Sequence, residues 1–282
     1  MQGDRRWLIT GASGLLADYL IEACRGQAQL ATTSRFGGDR SCDLTDSAAT
    51  SALIADLSPA VVIHAAGLTD VDRCEREPDL AFAVNRNAAA NMAAALNSSA
   101  RFVFISTDQV YPDQPGPHAE GTAQPVNIYG KSKLGGERAT LSHLGALVLR
   151  TNFFGRSRRS DRRSLSDFVI ENLNARRPVT FFSDVQFSPL HMSTFSSLVA
   201  ELVNKGATGV FNVGCREGKS KAEFALSIAR HKGLATQMVR LGASSDVPGR
   251  APRSHDLRLD VNSVEIVLGR SMPTLEEEIR KL

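Results

Sequence analysis

A short apolar stretch at residues 7–10 runs directly into a glycine turn and then into a helix-forming segment. Small residues recur at three-residue steps, at Gly11, Gly14 and Ala17. Gly11 permits the tight turn, Gly14 lets a pyrophosphate approach the backbone, and Ala17 lets the helix pack closely on the strand. The free N–H groups at the start of that helix attract phosphate. This spacing predicts a strand–turn–helix unit that binds a dinucleotide, with contacts from Gly11, Ser13, Gly14, Leu15 and Leu16.

The rest of the chain alternates between apolar stretches and helix-forming segments. The predicted strands are residues 7–10, 29–34, 60–64, 102–106, 146–150, 179–182 and 210–213. The predicted helices are residues 15–24, 47–56, 78–97, 128–141, 165–176, 194–204 and 219–231. In the third helix, Leu80, Val84, Ala88 and Met92 recur every four residues and predict a buried stripe. This alternation predicts an α/β fold, a Rossmann-like doubly wound parallel sheet with helices on both faces.

Two polar motifs follow the fourth predicted strand. Thr107 stands in Ser106-Thr107-Asp108, and Tyr129 lies four residues before Lys133 in a predicted helix, so that the last two side chains share one face. A cation beside Tyr129 would lower the pKa of the phenol, which makes Tyr129 a candidate proton donor or acceptor. Thr107 would hydrogen-bond the same substrate oxygen. The alternative is a half-buried tyrosine beside a solvated lysine, and the upstream glycine turn favours the catalytic interpretation.

Several segments resemble, in order, those of the extended short-chain dehydrogenase/reductases, and most of all the dTDP-4-dehydrorhamnose reductase family. They are GASGLLA, VVIHAAGLTDVDRCEREPDLAFAVN, FISTDQVYPD, PVNIYGKSKLGGE, LVLRTNFFG and DVQFSPLHM, with a looser resemblance in GVFNVG and APRSHDLRLD. The resemblance implies that a smaller C-terminal substrate lobe accompanies the Rossmann-like sheet. Residues 1–152 and 190–213 would then form the dinucleotide-binding domain, and residues 153–189 and 214–282 the substrate lobe.

The resemblance also implies a reaction. NADPH would deliver a hydride to the ketone of a nucleotide-linked 4-keto-6-deoxy sugar, Tyr129 would supply the proton, and Lys133 would also bind the nicotinamide ribose. Further cofactor contacts are expected from Asp43 and Leu44 at the adenine and from Ala65, Ala66, Gly67 and Thr69 at the end of the third strand. The substrate contacts are expected from Thr69, Val71, Thr107, Gln109, Asn152 and Phe153, with Arg253 as a candidate for the diphosphate.

The end of the second predicted strand favours NADP over NAD. A carboxylate there would accept hydrogen bonds from the adenosine ribose and select NAD. This chain has Ser34 and Arg35 instead, and the first carboxylate after the second strand is Asp39. Arg35 can pair with a 2′-phosphate and Ser34 can donate a hydrogen bond to it. NADPH is therefore the predicted cofactor and NADH is disfavoured, with a solvated Arg35 as the alternative.

The sequence leaves the sugar open. Five arginines crowd one loop of the proposed lobe: Arg156, Arg158, Arg159, Arg162 and Arg163. Some of them could hold the substrate diphosphate, although exposed charge runs are usually solvated and that is the expectation for most of this cluster. The chain also departs from the family pattern. Gln109 replaces a frequent aromatic residue, and Asn152 and Phe153 stand where many members have tryptophan.

Composition and charge narrow the classes of protein to which the chain can belong. A net charge of +3 is mild, which suits a small anionic substrate better than nucleic acid. No apolar run approaches the roughly 20 residues that span a bilayer, and the polar start does not resemble a signal peptide. The four cysteines are scattered, which predicts reduced thiols in a cytoplasmic protein and no metal site. The sequence does not determine the oligomeric state, and a homodimer is possible.

Two other functions compete with the reductase. Sugar-nucleotide dehydratases of the superfamily carry Asp-Glu after the threonine, whereas this chain carries Asp108-Gln109. A glutamine side chain cannot accept a proton as a base, so dehydration is disfavoured while epimerisation stays open. A non-catalytic NADP-binding regulatory subunit is the third candidate, since the regulatory subunit of methionine adenosyltransferase resembles the same family. The presence of Thr107, Tyr129 and Lys133 argues against it.

Overall fold

Strands and helices alternate through the computed structural model, which describes residues 6–282. The strands are β1 Arg6–Thr10, β2 Gln29–Ser34, β3 Gly37–Gly38, β4 Arg40–Ser41, β5 Val61–His64, β6 Arg101–Ile105, β7 Leu147–Arg150, β8 Phe153–Phe154, β9 Val179–Phe182, β10 Gln186–Phe187, β11 Leu190–His191, β12 Gly209–Asn212, β13 Lys219–Ser220, β14 Val239–Gly242 and β15 Asp256–Leu257. The α-helices are α1 Ala17–Cys24, α2 Ser47–Leu57, α3 Val71–Arg76, α4 Pro78–Phe82, α5 Ala88–Ala95, α6 Ile128–Leu141, α7 Leu165–Asn174, α8 Met192–Asn204, α9 Lys221–Lys232, α10 Asn262–Leu268 and α11 Leu275–Ile279.

The main sheet has seven strands in the order β12-β7-β6-β5-β1-β2-β4, and every pair is parallel. β5 and β7 are buried along their whole length and apolar except for their last residues, His64 and Arg150, as expected for strands that helices cover on both faces. The chain builds outward from β1 to β2 and β4 on one side and from β5 to β12 on the other. The reversal between β1 and β5 opens a crevice at the carboxyl ends of these strands. The prediction of a doubly wound parallel sheet is therefore confirmed.

Three small sheets lie outside the main one: β13-β10-β15, β11-β8 and β14-β9. β14 and β9 pair within the proposed substrate lobe, whereas β8 pairs with β11 across its boundary at residues 189 and 190. The division into 1–152 with 190–213 and 153–189 with 214–282 stays a prediction, and its first five residues lie outside the described ones. The helices α3, α10 and α11 were not predicted, because five to seven residues are too few for a periodic pattern.

The predicted continuous helix at residues 78–97 is wrong in its middle. α4 ends at Phe82, one π-helical turn follows over Ala83–Asn87, and α5 continues from Ala88. The stripe predicted to be buried along this helix is buried only after the π-helical turn. Ala88 and Met92 are buried, but Leu80 and Val84 are half-buried and line the crevice. π-helical turns inside helices often occur at functional sites, and this one lies against the catalytic helix predicted from the sequence.

Candidate active site

One cavity of about 620 Å³ lies in the crevice at the carboxyl edge of the main sheet. Every residue that the sequence predicted for cofactor, substrate or catalysis lines it: Gly11, Ser13, Gly14, Leu15, Leu16, Ser34, Arg35, Asp43, Leu44, Ala65, Ala66, Gly67, Thr69, Val71, Thr107, Gln109, Tyr129, Lys133, Asn152, Phe153 and Arg253. The parallel sheet explains this, because the loops that follow β1, β2, β5, β6 and β7 all leave from the same edge. The individual roles of these residues stay predictions.

The glycine turn after β1 is packed so tightly that only glycine fits at its first position. Gly11 has a φ of +76°, and a Cβ built there would lie 2.7 Å from the amide nitrogen of Ala66. The Gly14 amide donates to the Gly11 carbonyl at 2.8 Å and closes the turn before α1 begins. The backbones that follow β1 and β5 therefore meet without intervening side chains, which leaves a flat floor on which a pyrophosphate can rest.

The end of β2 carries both a paired and an unpaired polar group. Arg35 is exposed, and its Nε lies 3.1 Å from Asp43 Oδ2, so it is ion-paired rather than freely solvated. The Ser34 hydroxyl is buried and has no hydrogen-bond partner within residues 6–282. A buried hydroxyl without a partner is uncommon and marks a place where a ligand or water supplies the missing bond. These two residues fit the predicted 2′-phosphate contact.

The catalytic pair lies on one face of α6. Asn127 caps this helix, and its Oδ1 accepts from the Gly130 amide at 2.7 Å. Tyr129 and Lys133 are both buried, at 7% and 4% exposure. The Lys133 Nζ donates to the Ile105 carbonyl at 2.6 Å and lies 4.0 Å above the Phe104 ring. Burial lowers the pKa of Lys133 to about 7, and Glu137 partly opposes this.

The prediction that Lys133 lowers the pKa of Tyr129 is wrong for this structure. Burial raises the pKa of the phenol, and the neighbouring Thr107 hydroxyl opposes the rise only in part. The nearby Asp108 carboxylate raises the pKa further, because it repels the phenolate. Tyr129 is therefore held in its protonated form at neutral pH, the form that a proton donor requires.

A buried carboxylate lies beside the catalytic pair. Thr107 Oγ1 donates to Asp108 Oδ1 at 3.2 Å, and Asn152 Nδ2 donates to Asp108 Oδ2 at 2.7 Å. Burial raises the pKa of Asp108 to about 6, opposed by these hydrogen bonds and by Lys221. The amide of Asn152 is thus engaged by Asp108, and the Oε1 of Gln109 accepts from Asn127 at 3.2 Å. Asn152 and Gln109, two of the predicted substrate contacts, are thus each held in place by a hydrogen bond to a neighbouring side chain.

Asn85 was not predicted as a site residue; it lies in the π-helical turn and positions parts of the site. Its Oδ1 accepts from the Leu68 amide at 2.8 Å, and its Nδ2 donates to the Ser132 hydroxyl at 2.9 Å. Asn85 thereby ties the loop after β5 to α6. The extra residue in the π-helical turn changes the direction of the Asn85 side chain, which allows it to reach both partners.

A buried ion pair supports α6 from behind. Arg150 at the end of β7 and Glu137 on α6 are 4% and 1% exposed, and their Nη2 and Oε2 atoms lie 2.7 Å apart. The Ser106 hydroxyl also donates to Glu137, and Arg150 Nη1 donates to the Tyr111 hydroxyl at 3.0 Å. Because Ser106 precedes Thr107, this network joins the threonine of the site to the helix that carries Lys133.

Most arginines of the arginine-rich loop are exposed, as expected, and three of the five also form ion pairs. Arg158 binds Glu22 at 2.6 Å, Arg159 binds Asp18 at 2.8 Å, and Arg163 binds Glu171 at 2.7 Å. Two of these pairs strap the loop to α1, the helix that follows the glycine turn. Arg162 lines the same cavity as Ser13 and Gly14. The loop therefore brings one cation, Arg162, to the cavity.

The cavity is also lined by Arg253 and by a residue that the sequence did not single out. Arg253 Nη2 lies 2.9 Å from Asp72 Oδ2, and its Nη1 lies 3.0 Å from Oδ1 of the same carboxylate. Lys221, the first residue of α9, also lines the cavity. A lysine immediately after the capping Ser220 is an available sequence signal, because helix starts favour acidic residues.

Within residues 6–282, no group of three His, Cys, Asp or Glu side chains is arranged to hold a metal ion. None of the helices in that range combines the length and the apolar character needed to cross a bilayer.

Comparison with known proteins gives consistent matches over the whole chain. A family model described as "RmlD substrate binding domain" matches residues 5–282. The probable low-salt glycan biosynthesis reductase Agl14 of Haloferax volcanii is 30% identical over 97% of this chain and 96% of its own length. Methionine adenosyltransferase 2 subunit beta of Rattus norvegicus is 30% identical over 95% of this chain and 84% of its own length.

The fold also matches solved structures. The dTDP-4-dehydrorhamnose reductase of Bacillus anthracis, solved in complex with NADP, superposes with a TM-score of 0.88 at 24% identity, over 99% of this chain and 98% of its own. At that identity the likeness shows the fold alone.

Proposed function

This chain belongs to the RmlD substrate binding domain family, and on that premise we propose that it is an NADPH-dependent reductase of a nucleotide-linked 4-keto-6-deoxy sugar. The observation that carries the proposal is the shared cavity. It joins a glycine turn shaped for a pyrophosphate to a buried, protonated Tyr129 beside Thr107 and Lys133. The Bacillus anthracis structure was solved with NADP, and the Haloferax volcanii relative is described as a reductase, which supports the cofactor and the reaction class.

The residues of the site would have different roles in such a reduction. NADPH supplies the hydride when bound. The Tyr129 phenol donates its proton to the oxygen that becomes the alcohol, so hydride and proton together convert the ketone to a secondary alcohol. Thr107 Oγ1 can donate to the same oxygen once it turns from Asp108 Oδ1. Lys133, held by the Ile105 carbonyl, keeps a positive charge close to the developing alkoxide.

A turnover assay tests the proposal directly. Purified protein is mixed with NADPH and a panel of dTDP-, UDP- and GDP-linked 4-keto-6-deoxyhexoses, and absorbance at the NADPH band is followed together with product analysis. Steady consumption with formation of a 4-hydroxy sugar supports the reductase. Redox-neutral conversion of the sugar would indicate an epimerase instead.

A second candidate is a non-catalytic regulatory subunit, which the similarity to methionine adenosyltransferase 2 subunit beta favours. That function would need the dinucleotide turn but not a proton donor. The buried arrangement of Tyr129, Lys133 and Thr107, supported by Asn85 and Glu137, favours the reductase. NADPH binding without consumption on any keto sugar in the panel would favour the regulatory subunit.

Cofactor selection is expected to depend on Arg35. Its guanidinium pairs with Asp43 and remains exposed, so a 2′-phosphate can take the place of that carboxylate. We expect the parent to bind NADPH about ten- to a hundred-fold more tightly than NADH, the range for a charge-assisted contact. Arg35→Asp should abolish or invert the preference. The measurement is the ratio of the two dissociation constants at low and high salt, because an exposed contact weakens with salt.

Arg40→Asp is the matched control for Arg35→Asp. It makes the same charge change on the neighbouring strand β4, at an exposed residue that does not line the cavity. It should leave the cofactor ratio unchanged. A parent ratio near one, or an Arg35→Asp variant that still prefers NADPH, would mean that Arg35 has no part in cofactor choice.

Arg162 is expected to contribute to cofactor affinity from the strapped loop. Arg162→Ala should weaken NADPH binding about two- to fivefold, the effect of losing one exposed ionic contact to a phosphate. Fluorescence titration of NADPH at several salt concentrations measures it, and the difference from the parent should shrink as salt rises. Arg156→Ala is the control, because Arg156 is exposed in the same loop and does not line the cavity. Equal losses in both variants would indicate only a general charge effect.

A further inference from the structure

A second cavity, of about 400 Å³, lies in the proposed substrate lobe and shares no lining residue with the candidate active site. It forms where the C-terminal end of α7 meets the segment that precedes β14, and the Val179 amide joins these two parts by donating to the Met238 carbonyl at 3.2 Å. The lining residues are Leu173, Arg176, Arg177, Ala235, Gln237 and Met238. A volume of this size is usual for sites that bind small organic molecules.

Arg176 adopts a backbone conformation that arginine rarely takes. Its φ is +50°, in the left-handed region, directly after Ala175 at the end of α7. The Arg176 amide donates to the Leu173 carbonyl and the Arg177 amide to the Asn172 carbonyl, both at 3.0 Å, which is the helix ending that is usually built on glycine. A side chain at such a position costs free energy that glycine avoids. The helix end therefore does not need this arginine, and strained residues of this kind cluster at ligand sites.

The two arginines of this cavity have no counter-charge. Within residues 6–282, neither the Arg176 nor the Arg177 guanidinium forms a hydrogen bond or an ion pair. The two segments that line the cavity, residues 172–183 and 224–245, contain no Asp or Glu. Glu171, just before the first segment, is already paired with Arg163 at 2.7 Å. A cation near a helix C-terminus is favourable, but one is enough for that purpose, so the second positive charge at this cavity has no role in the helix itself.

The rest of the lining is mainly apolar. Leu173 is buried, and Met238 is 42% exposed, so its flexible thioether chain is free to pack against a ligand. Ala235 adds a further apolar surface, and Gln237 adds one amide. An inorganic anion would leave the surfaces of Met238 and Ala235 in water, whereas an anion with an apolar body would bury them. The cavity therefore combines two cations with an apolar wall.

We propose that this cavity is a second ligand site, separate from the candidate active site, and that it binds a phosphate monoester with an apolar or planar organic part. A phosphate monoester carries about 1.5–2 negative charges at neutral pH, which two guanidiniums match, whereas a carboxylate would neutralise only one of them. The planar guanidinium group also fits the geometry of phosphate oxygens. Arg176 and Arg177 bind the phosphate in this arrangement, and Met238 contacts the organic part.

The test is isothermal titration of the full chain, in saturating NADP, with the probes phenyl phosphate, inorganic phosphate and benzoate. We expect the parent to bind phenyl phosphate about fivefold or more tightly than inorganic phosphate, because the ring buries apolar surface. It should also bind phenyl phosphate more tightly than benzoate, which carries a single charge. Arg177→Gln should weaken phenyl phosphate binding about two- to fivefold, the effect of losing one exposed ionic contact. The difference from the parent should shrink as salt rises.

Two further variants keep the test specific. Arg176→Gly removes the second charge and places glycine where the backbone favours it, so its melting temperature should be no lower than that of the parent while phenyl phosphate binding weakens. A loss of binding in this variant therefore cannot come from unfolding. Arg240→Gln removes an exposed charge on β14 that does not line the cavity, and it should bind phenyl phosphate like the parent. NADPH affinity should be the same in all of them.

Several results would overturn the proposal. A parent that binds none of the probes has no such site, and unchanged phenyl phosphate affinity in both Arg176→Gly and Arg177→Gln would place the bound probe elsewhere. An equal loss in Arg240→Gln would show only a general attraction of anions to a basic surface. Benzoate or inorganic phosphate bound as tightly as phenyl phosphate would exclude the assigned ligand class. None of these results bears on keto-sugar reduction, since no residue of this cavity lines the candidate active site.

Discussion

Replacing Tyr129 by phenylalanine is expected to lower kcat by about 10²–10⁴-fold, the usual contribution of a positioned general acid. The substitution removes only the hydroxyl that would give its proton to the sugar oxygen, and the ring keeps its place in the small cluster with Cys74 and Ala81. NADPH binding should therefore stay within a few-fold of the parent. The measurements are kcat on a sugar nucleotide that the parent reduces and the dissociation constant of NADPH.

Tyr19→Phe is the control for this prediction. It removes a hydroxyl that donates to the Arg156 carbonyl at 2.8 Å, on α1 and away from the catalytic pair. Its kcat should be close to that of the parent. If Tyr129→Phe retained more than about a tenth of parental kcat, Tyr129 would not be the proton donor and the reductase mechanism would need another acid.

The second large effect is expected on stability, at the buried pair of Glu137 and Arg150. Glu137→Gln removes the charge that Arg150 faces and leaves a buried guanidinium uncompensated, which costs about 3–5 kcal/mol in comparable cases. At about 2–4 °C per kcal/mol for chains of somewhat smaller size, the melting temperature should fall by roughly 10 °C. Thermal unfolding followed by circular dichroism measures it. NADPH should raise the melting temperature of both proteins.

An exposed ion pair provides the comparison. Glu77→Gln breaks the pair between Glu77 and Arg73 on the surface, whose Nε and Oε1 atoms are 3.0 Å apart. Its melting temperature should hardly change, because exposed pairs contribute little. A Glu137→Gln variant as stable as Glu77→Gln would show that the buried network is not needed to hold α6 against β6 and β7.

Much of this site could be predicted from sequence because it depends on local backbone chemistry. The run Gly11-Ala12-Ser13-Gly14 favours a strand–turn–helix, since few residues tolerate the φ angle and the close approach at Gly11. The four-residue spacing of Tyr129 and Lys133 fixes their common face once α6 forms. Parallel strands end at one edge, which explains why Ser34, predicted from the end of its strand, and Asn152, predicted from the family resemblance, line one crevice.

Other features depend on partners that are distant in the chain and have no local pattern. No sequence rule indicated that Arg158 and Arg159 would reach Glu22 and Asp18, more than 130 positions earlier, or that the helix after Pro78 would open into a π-helical turn around Asn85. The pKa of Tyr129 was predicted to be lowered, whereas burial raises it. Spacing along the chain shows that a cation is near but not how deeply the phenol is buried.

The sequence by itself therefore determined the fold class and the dinucleotide turn, since both follow from backbone geometry and periodicity within one strand or helix. The resemblance to a known family supplied most of the other residues that were predicted to face the cavity. Only the tertiary structure decided which charges are neutralised and which are free. Arg253 is held by Asp72, and Asn152 by Asp108, while Lys221 is left without a partner among residues 6–282. Electrostatic free energies depend on distance and burial in three dimensions, and neither quantity can be read from spacing along the chain.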